Sequence, residues 1–136
     1  MKLRESTIED IEYVAERTAS RGIHKDMPGQ IDYFYTLEHE GRPLGIGAFK
    51  LINLFTAWCW LDTTKESRKH TPAVYRIMSE WMGIFTEEHG IKRLQAYVEC
   101  DFPEAIRLVE HLGFKKESTM KKFMGDKDAF MFARTI

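Results

Sequence analysis

The sequence predicts a mixed α/β domain, and three features carry that expectation. Residues 55–114 run strand, basic loop, amphipathic helix, strand and second short helix. Ahead of them, residues 33–64 hold β-rich runs broken by Glu40-Gly41-Arg42-Pro43, a good hairpin turn, and by a tight connection at Asn53-Leu54. Behind them, the C-terminal stretch is two strand patterns joined by Gly125-Asp126-Lys127-Asp128.

In chain order, a short strand is expected over residues 2–5. Thr7 then caps a helix whose first turn holds Glu9 and Asp10, acids that a helix N-terminus favours. Ile8, Ile11 and Ala15 supply its buried stripe, and Gly22 ends it. Residues 22–31 show no period and include Gly and Pro, so a loop is expected. Tyr33, Phe34 and Tyr35 alternate like a strand with one buried face. The segment FTAWCWLDTT has the aromatic and β-branched residues of a pleated, half-buried strand, with Trp58, Trp60 and Asp62 on one face. After the basic KESRKH, Thr71 is expected at a helix N-cap with Pro72 at the first helical position, where its missing N–H costs nothing. Val74, Ile77, Met78, Trp81 and Phe85 form that helix's apolar stripe, and Gly90 sits where a left-handed C-cap belongs. The strand IKRLQAYVEC follows, with Glu99 on the face of Tyr97. Asp101 is a natural cap for the helix beginning at Pro103. Trp58, Trp60 and Trp81 are expected in the core.

Composition narrows the possibilities. At 136 residues the chain is one domain, residues 1–136, large enough for a single core, with 43% hydrophobic and 30% charged residues. A net charge of −1 argues against a nucleic-acid binder, which carries a strongly basic face. No apolar run is long enough for a membrane span, and MKLRESTIED is no signal peptide. Cys59 and Cys100 give neither a disulfide framework nor a zinc spacing, and the five histidines have no metal-ligand spacing, so no metal is expected. His89 and His111 fall near helix C-termini, where positive charge is favoured. A reducing, cytoplasmic setting is the simplest expectation.

The basic loop is the sharpest chemical feature. Lys65, Arg68, Lys69 and Arg76 face a single acid, Glu66, in a chain that is otherwise slightly acidic. Guanidinium forks beside the free N–H groups of a helix start are the donors phosphates need. A merely solvated basic turn is the alternative on spacing alone.

Residues 98–114, from Val98 through Ala105-Ile106-Arg107-Leu108-Val109-Glu110 to Gly113-Phe114, resemble the C-terminal signature of the GNAT N-acetyltransferase superfamily, "Asn-x-x-Ala-Ile-x-Leu-Tyr-Glu-x-x-Gly-Phe". Arg68-Lys69-His70-Thr71-Pro72-Ala73 falls where that family carries its pyrophosphate loop, "Gln/Arg-x-x-Gly-x-Gly/Ala". Phe102 stands in place of the Asn, Val109 in place of a Tyr that often acts as general acid, and Thr71 in place of the central glycine. The Cys59-Trp60 strand and short N-terminal half further resemble small GNAT-like proteins of tailed phages. The resemblance implies a GNAT-like fold: a central, mostly antiparallel sheet of about six to seven strands flanked by helices. It implies acetyl-coenzyme A as co-substrate and direct acyl transfer to an amine, on a small molecule or a protein, by a monomer or homodimer. In that arrangement residues 22–31 line the acceptor side, and the strand ending at Cys100 splays from its neighbour to admit the thioester. Leu61, Asp62 and Thr63 would pair with the pantetheine arm, while Arg68, Lys69, His70, Thr71, Pro72 and Ala73 would hold the pyrophosphate.

Amine acylation needs a group to take the ammonium proton and another to reprotonate the thiolate. Asp62, Glu99 and Cys100 are the candidates, with Asp101 beside them. Val109 cannot donate a proton. The rival expectation is a protein that retained the fold without the catalysis and serves as a binding or assembly component, such as part of a phage virion; a phage origin would put the protein in the host cytoplasm.

Overall fold

The computed structural model describes residues 1–18 and 32–136. Among the described residues, seven strands and three α-helices follow one another as β1 (Lys2–Glu5), α1 (Ile8–Arg17), β2 (Tyr33–His39), β3 (Arg42–Leu51), β4 (Thr56–Thr63), a 3₁₀ segment (Lys65–His70), α2 (Thr71–His89), β5 (Arg93–Glu99), α3 (Pro103–His111), β6 (Lys115–Met124) and β7 (Lys127–Thr135). The sheet order is β1-β2-β3-β4-β5-β7-β6, mostly antiparallel as expected, with β4 and β5 parallel. The chain divides into two compact units, Met1–Lys50 with Cys59–Ile77, and Leu51–Trp58 with Met78–Ile136. Among the described residues no helix is long and apolar enough to cross a membrane.

In the first unit, Glu40 and Gly41 both take positive φ, 51° and 78°, the geometry of a two-residue hairpin whose twist matches its strands. Pro43 is accommodated at an irregularity where the register shifts between Leu37 and Glu38. Leu44, Ala48, Phe49 and Val14 are almost fully enclosed. The capping box at Thr7 is present: its hydroxyl accepts the Asp10 N–H at 3.2 Å, and the Asp10 carboxylate accepts the Thr7 N–H at 2.8 Å.

The stripe of α1 differs from expectation. Ile8 is 72% exposed, Ile11 and Ala15 are half-buried, and Asp10 and Val14 face inward. The cause is polar. Arg4 donates to both Asp10 oxygens, at 2.6 and 2.9 Å, and the Thr36 hydroxyl donates to the same carboxylate at 3.2 Å. Drawing Asp10 in sets the roll of the helix, and Val14, one turn on, follows it inward. The helix stops at Arg17 with Thr18 extended, before Gly22; the loop expected over 22–31 lies outside the described residues.

In the second unit, β5 pairs with β7 along its length, and β7 with β6. The parallel β4–β5 ladder is short, Thr56, Ala57 and Trp58 against Arg93, Leu94 and Gln95. Gly90 (φ 66°) closes α2: its N–H donates to Glu87 and the Ile91 N–H to Thr86, the two bonds of a Schellman motif. Gly113 closes α3 in the same way, toward Glu110 and Val109. The outer strand β6 carries Lys115, Lys116, Lys121 and Lys122 in exposed positions, which discourages edge-to-edge pairing.

Two further expectations are corrected here. The inward stripe of α2 is Val74, Met78, Met82 and Phe85, with Trp81 only half-buried on its flank. Apolar residues cover so much of this helix that its sequence does not fix the centre of the stripe. Asp101 does not cap α3; Phe102 occupies the N-cap with no side-chain bond, and Asp101 is exposed, 3.5 Å from the Lys127 ammonium.

Candidate functional site

Within the first unit, β4 runs into the basic segment. Leu61 and Thr63 are half-buried and Asp62 is buried, and the alternation follows from the period of a strand. Gly45 on β3 lies so close that a Cβ there would come 3.1 Å from the Asp62 carbonyl oxygen and 3.3 Å from Thr63 Cγ2. The Thr64 N–H donates to the Leu44 carbonyl at 2.9 Å. The Asp62 carboxylate accepts a hydrogen bond from the Thr18 hydroxyl, and Thr18 also forms an antiparallel backbone bridge with Thr64.

The basic stretch is helical rather than an open loop. Thr64 is extended, and the Ser67 N–H and hydroxyl both donate to its carbonyl, at 3.1 and 2.6 Å. The 3₁₀ segment then passes directly into α2. Thr71 is therefore the first α-helical residue and not an N-cap; its hydroxyl donates back to the Arg68 carbonyl at 3.0 Å. The helical run thus begins at Lys65, not at Thr71.

The electrostatics of this segment are set from the β2–β3 hairpin. Arg42 donates to both oxygens of Glu66, and the His39 ring lies 4.5 Å from that of His70. The hydrogen-bonded Arg42 guanidinium holds the Glu66 carboxyl below its ordinary range. With the segment's one acid so engaged, Lys65, Arg68 and Lys69 stand exposed as its cations. An anion as highly charged as a pyrophosphate fits this donor set.

In the second unit, Glu99 ends β5 and forms an ion pair with Lys127 at 3.3 Å. The Cys100 N–H donates to the Asp128 carbonyl at 3.0 Å, and the Cys100 side chain is half-buried. Tyr97, on the same face as Glu99, meets the edges of Trp58 and Phe123 at centroid distances of 5.9 and 4.9 Å. A carboxylate and an aromatic wall therefore share one face of β5, with the thiol one residue beyond its end.

Of the residues singled out in the sequence, Leu61, Asp62, Thr63, Arg68, Lys69, His70, Thr71, Pro72 and Ala73 lie together in the first unit, and Glu99 and Cys100 lie in the second. Sequence reasoning missed Thr18, Arg42, His39 and Lys127. Register alone brings these to their partners, and no local pattern marks them. His89 and His111 do lie at helix ends, their Nδ1 atoms 3.0 and 3.1 Å from the Phe85 and Arg107 carbonyls.

No protein-family model matches the chain, and no curated protein matches it. Solved structures do. A GNAT family acetyltransferase from Elizabethkingia anophelis with acetyl-CoA bound aligns at TM-score 0.77 and 10% identity, over 99% of this chain and 97% of that one. A spermidine N-acetyltransferase from Vibrio cholerae gives TM-score 0.76 and 13% identity over 99% and 95%. A ribosomal-protein-alanine N-acetyltransferase from Escherichia coli gives 0.74 and 17% over 99% and 93%. At such identities the likeness is one of fold. The chain has the fold of the GNAT N-acetyltransferases.

Proposed function

We propose that residues 1–136 act as one GNAT-like domain, an acyl-coenzyme A-dependent N-acyltransferase that moves an acetyl group from acetyl-coenzyme A to an amine. The observation that carries this reading is the cationic segment at the start of α2, directly after β4, in a fold whose solved relatives include an acetyltransferase holding acetyl-CoA. Arg68 and Lys69 bind the pyrophosphate, with His70, Thr71, Pro72 and Ala73 completing the helical stretch that holds it. The half-buried Leu61 and Thr63 flank Asp62 along the pantetheine arm.

In the reaction the acceptor nitrogen attacks the thioester carbonyl carbon. The C–N bond forms, the C–S bond breaks, and coenzyme A leaves as a thiolate. Glu99 takes the proton from the nitrogen, and the Cys100 thiol next to it supplies one to the thiolate. No covalent acyl-enzyme is needed. The acceptor is an amine on a small molecule or a protein; solved neighbours named for spermidine and for a ribosomal-protein alanine illustrate both kinds. The reading places the enzyme in the cytoplasm.

Calorimetric titration of coenzyme A into the parent and Arg68→Glu proteins, at two salt concentrations, tests the binding half. A charged hydrogen bond is worth about 1.5–3 kcal/mol, so the variant should bind at least about tenfold more weakly, and parent affinity should fall with salt. Equal binding by both proteins would move the coenzyme elsewhere. For the chemistry, Glu99→Gln should lower turnover by about 10²–10⁴-fold with coenzyme affinity nearly unchanged. Two observations favour a second reading, a binding or assembly protein without catalysis: the Thr71 and Ala73 N–H groups lie inside a helical run, and Val109 offers no proton. A parent protein that acetylates no member of an amine panel would select that reading.

A further inference from the structure

The geometry points to Asp62 as a positioning residue whose carboxylate fastens the end of α1 to β4 through Thr18. Asp62 is 4% exposed, and its carboxylate accepts a hydrogen bond from the Thr18 hydroxyl. Two residues on, Thr64 forms an antiparallel backbone bridge with the same Thr18. One residue at the exit of α1 thus grips β4 by its side chain and the residue just after β4 by its main chain.

The opposite edge of the same short segment is held as firmly. The Leu44 carbonyl accepts the Thr64 N–H at 2.9 Å and the Thr64 hydroxyl at 3.3 Å. Gly45 packs against the Asp62 carbonyl, where any larger side chain would intrude. Residues 62–64 are therefore clamped between β3 and Thr18, immediately before the 3₁₀ segment and its cations. Thr18 and Asp62 lie 44 positions apart in sequence, so their bond closes a long loop, and local structure alone would not hold it.

The consequence for function rests on the acyltransferase reading. Under that reading β4 is the edge against which the pantetheine arm lies, and a rigid edge lowers the cost of ordering the coenzyme. Asp62 then acts through Thr18 and β4 on coenzyme binding, and does not carry the amine proton.

The test is a double-variant cycle with Thr18→Val, Asp62→Ala and both together, and with Thr18→Ser as the conservative control. Each single variant should weaken coenzyme A binding by about tenfold, and the double variant should lose less than the sum of the two, because the Thr18–Asp62 bond is lost in all three. Thr18→Ser should restore most of the affinity. The kcat of Asp62→Ala should stay within a few-fold of the parent, and its pH profile should keep both limbs. A missing acidic limb, or a kcat loss of about a hundredfold or more in Asp62→Ala alone, would make Asp62 the base and overturn the inference. Additive losses would do the same by uncoupling the pair.

Denaturant unfolding of the same variants keeps this result separate from the fate of the acyltransferase reading. If the parent binds no coenzyme A, that reading fails, and the cycle is judged on unfolding midpoints alone. A double variant whose midpoint falls by less than the sum of the two single losses supports the anchor, and midpoints that fall additively overturn it.

Discussion

Arg42 grips Glu66 through a forked contact, with Nη2 2.6 Å from Oε1 and Nε 3.2 Å from both carboxylate oxygens. The pair joins the start of β3 to the one acid of the basic segment. It is largely exposed, so its effect on folding is small, and its effect on the local field is the larger one. Arg42→Ala would release the Glu66 charge beside Arg68 and Lys69. Coenzyme A affinity should then fall about threefold to tenfold, and Glu66→Gln in the same protein should recover it. Calorimetric titration checks both. No recovery in the double variant would mean that Arg42 contacts the ligand itself.

The stripe of α2 makes a stability prediction that separates neighbours on one helix. Phe85 is 2% exposed and stacks on His89 with centroids 4.2 Å apart, whereas Trp81 is half-buried. Phe85→Ala should cost about 3–5 kcal/mol, the range for large buried aromatics, and Met82→Ala about 2–5 kcal/mol. Trp81→Ala should cost clearly less than Phe85→Ala. Urea unfolding of the three variants gives the order, and a Trp81 loss equal to that of Phe85 would put the stripe on the other flank.

Acid should loosen the first unit through Asp10. Its hydrogen bonds with the Arg4 guanidinium hold its carboxyl well below the usual range against the opposing effect of burial, with Thr7 assisting. A carboxyl that is depressed in the folded state contributes stability that is whole above its unfolded pKa, about 3.9. The contribution then declines as pH falls toward the depressed folded value. Asp10→Asn should cost about 1.5–3 kcal/mol at pH 7 and flatten the fall in stability below about pH 4. Unfolding curves at pH 7, 4 and 3 measure this. A variant whose acid dependence matches the parent would assign the acid sensitivity to other carboxylates.

Gly45 reports on the fit between β3 and β4. Its Cβ position lies 3.1 Å from a backbone oxygen, and backbone cannot swing aside as a side-chain tip can. Gly45→Ala should therefore cost about 1–3 kcal/mol, the usual range for overpacking, and displace β4 at Asp62. Coenzyme A binding should weaken with it. Parent-like stability and binding together would show that β4 yields without consequence.

Much of the fold was legible because it is written in local chemistry. Thr7 with Asp10 marks a helix start, Glu40-Gly41 a hairpin, Gly90 a helix end, and period-two alternation the strands; each works over a few residues and needs no distant partner. The basic segment was legible as charge for the same reason, since its cations are consecutive in the chain. Its conformation was not. Whether residues 65–70 stay open or coil depends on Thr64 being held by Leu44 and on Arg42 reaching Glu66, contacts made across 20 and 24 positions. The roll of α1 was likewise decided by Arg4 and Thr36 drawing Asp10 inward, which an apolar periodicity cannot register. Asp62 shows the division within one residue. The sequence by itself determined that a carboxylate stands at the end of a strand, because strand pattern and residue type are local. Only the tertiary structure decided that this carboxylate is buried and bonded to Thr18, because that pairing exists once the sheet has brought α1 and β4 together.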